Sequence, residues 1–207
     1  NTEGGTATVT ITATEGSVYM GTAARTFKIL DNNIENAEIT QEFTSVLYNG
    51  KPKTPAVTVT LNGAPLVEDQ DFIANCSNNT NVGTATIEIK GKADYTGTVV
   101  KSFKINPKGT TLNKPVRLKK GFTARWSKQT AGMSAKRITG YQIRYSLKKN
   151  MAGAKLRTVK GCAKGSVTVK KLKAKKTYYI QVRTYMKTGG KTYYSPWSAK
   201  KSVKTKK

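Results

Sequence analysis

The side chains best suited to chemistry in this sequence are cations and aromatic rings, and they offer binding rather than bond making. In Tyr178-Tyr179-Ile180-Gln181-Val182-Arg183-Thr184-Tyr185, an extended chain alternates its side chains between two faces. If Tyr178, Ile180 and Val182 point to a core, then Tyr179, Gln181, Arg183 and Tyr185 point out. In Gly140-Tyr141-Gln142-Ile143-Arg144-Tyr145 the same rule sends Gln142 and Arg144 outward. A guanidinium fork beside flat rings can hold phosphate, carboxylate or sulfate, and the rings can stack on sugars or bases. The competing reading is that the arginines only cover tyrosine faces by cation–π contact, and both readings stay open. A second candidate is the run Lys170-Lys171-Leu172-Lys173-Ala174-Lys175-Lys176. Leu172 is expected to be buried there, with Lys170, Lys171, Lys173, Lys175 and Lys176 splayed around it as a polyanion surface. The plainer reading is a solvated face.

Other chemistry is excluded by what is missing or misplaced. The chain has no histidine, which removes Ser-His-Asp and Cys-His nucleophiles and histidine acid–base chemistry. Gly190-Lys191-Thr192 lacks the glycine that a phosphate-binding loop needs five residues earlier, since position 185 is tyrosine. Glu68-Asp69-Gln70-Asp71 offers too few clustered oxygens for a calcium site and reads as a solvated turn. Cys76 and Cys162 lie in different halves, so no disulfide framework is indicated. Cys76 precedes Ser77, which does not fit an internal thioester. No catalytic residue, cofactor or metal is expected, and the chain is expected not to be an enzyme.

Charge is divided sharply along the chain. Residues 1–105 carry 8 Lys+Arg and all 11 acids, a net of −3, whereas residues 106–207 carry 29 Lys+Arg and no acid, a net of +29. The second half cannot neutralise itself and calls for packing, counterions or an anionic partner.

Strand patterns must position these groups. Residues 6–12, 56–61, 84–89, 165–169 and 177–185 alternate or run with β-branched and aromatic residues. Turn pairs separate them: Asn49-Gly50, Asn62-Gly63 and Gly189-Gly190. There is no convincing helix of ten residues and no apolar run long enough to span a bilayer. The expected class is all-β, as tandem β-sandwiches. The opening NTEGGTATVTI returns as NTNVGTATIEI from Asn79, and Arg25-Thr26-Phe27-Lys28-Ile29 returns as Lys101-Ser102-Phe103-Lys104-Ile105. The offset is 78 residues at first and 76 afterwards. A fixed period marks tandem modules. The first copy has no front half, so the chain is expected to be cut from a longer array. Its two strands either lean on the next module or belong to one continuous stack over 1–105, and both remain open.

Tyr48 to Leu66 (YNGKPKTPAVTVTLNGAPL), Asp71-Phe72, and the stretch from Asn81 to Ile105 resemble the bacterial immunoglobulin-like repeat called MBG or YDG. That resemblance implies a spacer or adhesive stalk in large surface or secreted proteins of Gram-positive bacteria. From Pro115 the chain resembles a fibronectin type III domain. The markers are Trp126, the strand from Gly140 to Tyr145, Leu172 six residues before Tyr178 as a tyrosine corner, and the YYSPWS stretch from Tyr193. The tripeptide Arg-Gly-Asp is absent. This fold would make the strands bearing Arg144 and Arg183 neighbours, putting both arginines on one face with Tyr179 and Tyr185.

The expected domains are 1–30, the back half of a preceding repeat; 31–106, a bacterial immunoglobulin-like domain; and 107–207, a fibronectin type III domain. The leading functional expectation is an extracellular, monomeric, non-catalytic stalk or adhesion region, on a bacterial surface or secreted. Its basic domain would bind an anionic cell-wall polymer or a host glycan or protein, without membrane insertion. The alternatives are the accessory tail of a large secreted hydrolase and nucleic-acid binding, the latter suggested by charge and exposed Tyr and Arg.

Overall fold

The computed structural model describes residues 4–133 and 136–207. Asn1, Thr2 and Glu3, which begin the repeated word and the first expected domain, lie outside the described residues. The strands are β1 (Gly5–Thr12), β2 (Thr22–Ile29), β3 (Glu38–Gln41), β4 (Ser45–Leu47), β5 (Val57–Leu61), β6 (Ala64–Leu66), β7 (Phe72–Ser77), β8 (Gly83–Gly91), β9 (Thr98–Asn106), β10 (Val116–Leu118), β11 (Gly121–Arg125), β12 (Gly140–Ser146), β13 (Lys155–Lys160), β14 (Ser166–Val169), β15 (Thr177–Thr188), β16 (Lys191–Tyr194) and β17 (Lys201–Lys204). The helical element among the described residues is one 3₁₀ turn, Ile34–Asn36. The protein is all-β, as alternation in the sequence requires. No helix among the described residues is long and apolar enough to cross a membrane.

Two compact units are present. The first comprises Asn1–Glu42, Pro55–Asn75 and Ile87–Lys101, and the second comprises Phe43–Thr54, Cys76–Thr86 and Ser102–Lys207. The chain forms a β1-β2 pair, a β3-β5-β6 sheet, a β4-β9-β8-β7 sheet, a β10-β11-β14 sheet and a β13-β12-β15-β16 sheet onto which β17 adds at β15. β4 runs parallel to β9, with Ser45 opposite Lys104. Asn62 and Gly63 join β5 to β6 with φ of 52° and 79°, the left-handed pair that a two-residue hairpin demands. Gly189 and Gly190 do the same between β15 and β16, at 53° and 71°.

The two copies of the repeat end differently. Shifting β1 by 78 residues lands on 83–90 in β8, and shifting β2 by 76 lands on 98–105 in β9. In β8 and β9 the inward positions Ala85, Ile87, Ile89 and Phe103 are fully buried. Their counterparts Ala7, Val9, Ile11 and Phe27 share one face of β1–β2, where Ala7 stands opposite Phe27. Only Ala7 is buried; Ile11 is 70% exposed and Val9 and Phe27 are each 49% exposed. β1 and β2 pair with each other and with no further strand among the described residues. The expectation that these strands lean on the next module therefore does not hold for Val9, Ile11 and Phe27.

In the second unit, Leu112, Phe122, Trp126, Met133, Ile138, Tyr141, Ile143, Tyr178, Ile180, Val182 and Tyr193 build the core, and Val82 joins the same cluster. The indole N–H of Trp126 donates to the Lys164 carbonyl at 3.0 Å, and its ring lies 5.1 Å from that of Tyr141. The Tyr178 hydroxyl accepts the Lys173 N–H at 3.2 Å, which is the corner read from Leu172 and Tyr178. Residues 107–109 are tied down: the Lys108 carbonyl accepts the Thr184 hydroxyl at 2.8 Å and the Gly109 carbonyl accepts the Gln129 amide at 3.0 Å.

Candidate functional site

The register of β12 against β15 sets Arg144 opposite Gln181 and Arg183 opposite Gln142. Each guanidinium turns onto the glutamine across from it. Arg144 donates from Nε and Nη2 to Gln181 Oε1 at 3.0 and 2.7 Å, and Arg183 donates from the same atoms to Gln142 Oε1 at 2.9 and 2.5 Å. Neutral acceptors take this role because this half of the chain has no carboxylate side chain to offer.

Both guanidinium planes are also covered by rings. Arg183 lies 3.9 Å from the Tyr194 ring centroid and 4.3 Å from that of Trp197, and Arg144 lies 4.5 Å from the Trp197 ring centroid. The order is Tyr194, Arg183, Trp197, Arg144, a ladder of alternating rings and cations. The sequence reading named the two arginines and missed both rings.

The chain after β16 explains how Trp197 arrives there. Pro196 has no N–H and cannot continue a strand ladder. On either side of it, Ser195 N–H donates to the Thr184 carbonyl at 3.1 Å and Ser198 N–H to the Val182 carbonyl at 2.8 Å. The two serine hydroxyls then accept the N–H groups of Thr184 and Val182 at 3.0 and 3.1 Å. Side-chain oxygens thus replace the missing backbone partners, and Gln181 holds the Ser198 carbonyl at 2.7 Å. The segment stays stitched to β15 while Trp197 covers the arginines, and the strand resumes as β17. The signal was present in the sequence as two serines three residues apart around a proline, next to two aromatics with the same spacing.

Neither predicted tyrosine joins the ladder. Tyr185 does not lie on an open face: it is 4% exposed, with its ring 6.3 Å from that of Tyr194. Gly140 stands opposite it in the register, and an added Cβ there would meet the Val159 carbonyl and the Tyr185 ring. Tyr179 is half-buried and sits opposite Ser146 and Ser202, away from the ladder register. Burial pushes the phenol of Tyr185 upward, helped by neighbouring Tyr194, and burial likewise raises Tyr141. Burial lowers Arg183, and repulsion from Arg144 adds to this while Tyr194 opposes it; the guanidinium remains cationic at neutral pH.

The lysine run lies in the turn between β14 and β15. Lys170, Lys171, Lys173, Lys175 and Lys176 are all exposed, and Leu172 among them is half-buried. The backbone beneath them is pinned. Leu172 N–H donates to the Lys120 carbonyl at 2.9 Å, and the Thr205 hydroxyl donates to the Lys173 carbonyl at 2.7 Å while accepting Lys176 N–H at 3.2 Å. Lys171 and Lys175 hold left-handed φ values of 61° and 54°. The structure therefore gathers the five lysines on one turn and places Arg144 and Arg183 in a separate, internally satisfied ladder.

In the first unit, Asp71 accepts the Val67 N–H at 2.8 Å, so the acidic run closes a turn. No group of three His, Cys, Asp or Glu side chains comes together among the described residues.

Residues 106–200 match the fibronectin type III domain, and that stretch is a fibronectin type III domain. No curated protein matches the chain. Among solved structures, the FN1-FN3 domains of chicken CNTN1 overlay with a TM-score of 0.40 at 15% identity, over 91% of this chain and 70% of that one. A beta-1,2-glucanase from Parabacteroides distasonis overlays with a TM-score of 0.36 at 14% identity; the overlay covers 59% of this chain and 18% of the glucanase.

Proposed function

We propose that this chain is a non-catalytic, extracellular region of a bacterial surface or secreted protein, in which repeat modules act as a stalk and a basic fibronectin type III domain holds an anionic polymer. The observation that carries the reading is the charge: 29 cations and no acid over residues 106–207, with five exposed lysines concentrated on the turn from Lys170 to Lys176. The polymer is a cell-wall or host glycan bearing phosphate, carboxylate or sulfate. Lysines carry the contact, because Arg144 and Arg183 already have glutamine and ring partners. The bacterial setting is supported by the repeat resemblance over Tyr48 to Ile105.

The test is retention of the full chain on teichoic acid, heparin, sulfated mucin and DNA across a salt series. Exposed charges are screened over about 8–10 Å at physiological salt. Retention is expected to vanish by about 0.5 M salt, and changing all five lysines to glutamine is expected to weaken binding about tenfold or more. Retention indifferent to salt, or to the five changes, overturns the reading. A preference for DNA over every glycan would move it to nucleic acid.

A further inference from the structure

We infer that the lysine turn forms one wall of a preformed cleft that takes a small organic anion with a compact apolar body. The cleft has a volume of about 460 Å³ and lies between the end of β12 with its following turn and the turn before β15. That volume is within the range of small-ligand sites, which are apolar cavities carrying a few placed polar groups. Tyr145, Leu147, Leu172 and Tyr178 supply its apolar lining, and Lys148, Lys155, Lys171 and Lys173 also line it.

Both walls are fixed before any ligand arrives. On the β12 side, the Ser146 hydroxyl donates to the Ala152 carbonyl at 2.8 Å and accepts Lys148 N–H at 3.1 Å, while Met151 N–H reaches the Lys148 carbonyl at 3.0 Å. Lys155 stands opposite Tyr145 in the β12–β13 register. On the other side, the Tyr178 hydroxyl and Thr205 anchor Lys173. Tyr145 is itself braced, with its ring 5.7 Å from Phe122 and 6.3 Å from Tyr178. A pinned apolar floor needs no ordering on binding, so contact with an apolar body is not spent on closing loops.

The charge selects the occupant. All four lysines are exposed, and the module contains no acid to pair with them. A neutral apolar molecule leaves their mutual repulsion in place, and a bare inorganic anion leaves the apolar floor wet. Only a ligand with both parts satisfies the site: a carboxylate, sulfate or sulfonate head on an aryl or short acyl body.

The inference does not depend on polymer binding, although Lys171 and Lys173 serve both. The experiment is an amide NMR titration of the full chain at physiological salt with naphthalene-2-sulfonate, 2-naphthol and methanesulfonate. The aryl sulfonate is expected to bind saturably with Kd of about 1 mM or below, in line with modest ligand efficiency for a body of this size. Shifts should centre on residues 145–155 and 171–178. The naphthol and the methanesulfonate should each bind at least tenfold more weakly. Leu147→Ser and Lys173→Gln should each weaken the sulfonate about fivefold or more with the amide spectrum otherwise retained, and Lys160→Gln should not. Equal effects from methanesulfonate, shifts scattered over the basic surface, or indifference to Leu147→Ser would overturn the cleft while leaving polymer binding intact.

Discussion

At the scale of single residues, Trp197 is the keystone of the arginine ladder. It covers two guanidiniums, and each cation–π contact contributes about 0.5–2 kcal/mol depending on desolvation. Trp197→Ala is expected to destabilise the chain by about 2 kcal/mol or more, read by urea unfolding. Arg183→Lys should cost about 1 kcal/mol, because an ammonium cannot fork onto Gln142 or lie flat on Tyr194, and should leave heparin retention unchanged. A large loss of retention in that variant would return the arginine to the binding surface. Tyr141 and Tyr185 set the alkaline limit. Both phenols are raised by burial above their ordinary value near 10, so their neutral forms are favoured in the folded state. The stability they confer is complete below about pH 10 and is lost as pH rises through the raised values. Thermal unfolding should show a fall that sets in near pH 10, continues above it, and flattens in Tyr185→Phe.

At the scale of elements, the two copies of one strand pair make a controlled comparison. Ile89 is fully buried in β8 and its counterpart Ile11 is mostly exposed in β1. Ile89→Ala is expected to cost about 2–5 kcal/mol, the usual range for a buried aliphatic truncation, and Ile11→Ala less than about 0.5 kcal/mol. Closely similar apolar residues in the same order yield a core in one place and an open apolar face in the other. What differs is the cover. Placing a copy of residues 31–78 ahead of Asn1 is expected to bury Val9, Ile11 and Phe27, with their amide exchange slowed to the level of β8. At Gly140 the constraint is steric. Gly140→Ala would drive a methyl into the Val159 carbonyl and the Tyr185 ring and is expected to cost about 1–3 kcal/mol.

At the scale of the whole molecule, charge and packing answer to different residues. Apart from Arg144 and Arg183 in the ladder, the cations of residues 106–207 are exposed, while the core cluster from Leu112 to Val203 is apolar. Stability is therefore expected to rise with salt, as repulsion among the lysines is screened, while polymer retention falls. A melting temperature and a retention profile taken over the same salt series should move in opposite directions.

Much of this was legible in the sequence. Alternation in Thr177 to Tyr185 announced β15, the Asn62-Gly63 and Gly189-Gly190 pairs announced their hairpins, and Leu172 with Tyr178 announced the corner, because each depends on local backbone preference. The lysine turn was likewise local, and its exposure followed from charge. The ladder was not legible, because alternation says which way a side chain points and not what lies over it. Arg144 and Arg183 did share a face, but Trp197 came to lie over both guanidiniums, and Tyr185 ended buried beside Tyr194. The cleft between Leu147 and Leu172 joins residues remote in sequence. Sequence determined strands, turns and charge, which are fixed by neighbours along the chain. Tertiary structure alone decided which faces stayed open, because cover comes from segments distant in sequence and from hydrogen bonds that only the folded register brings into reach.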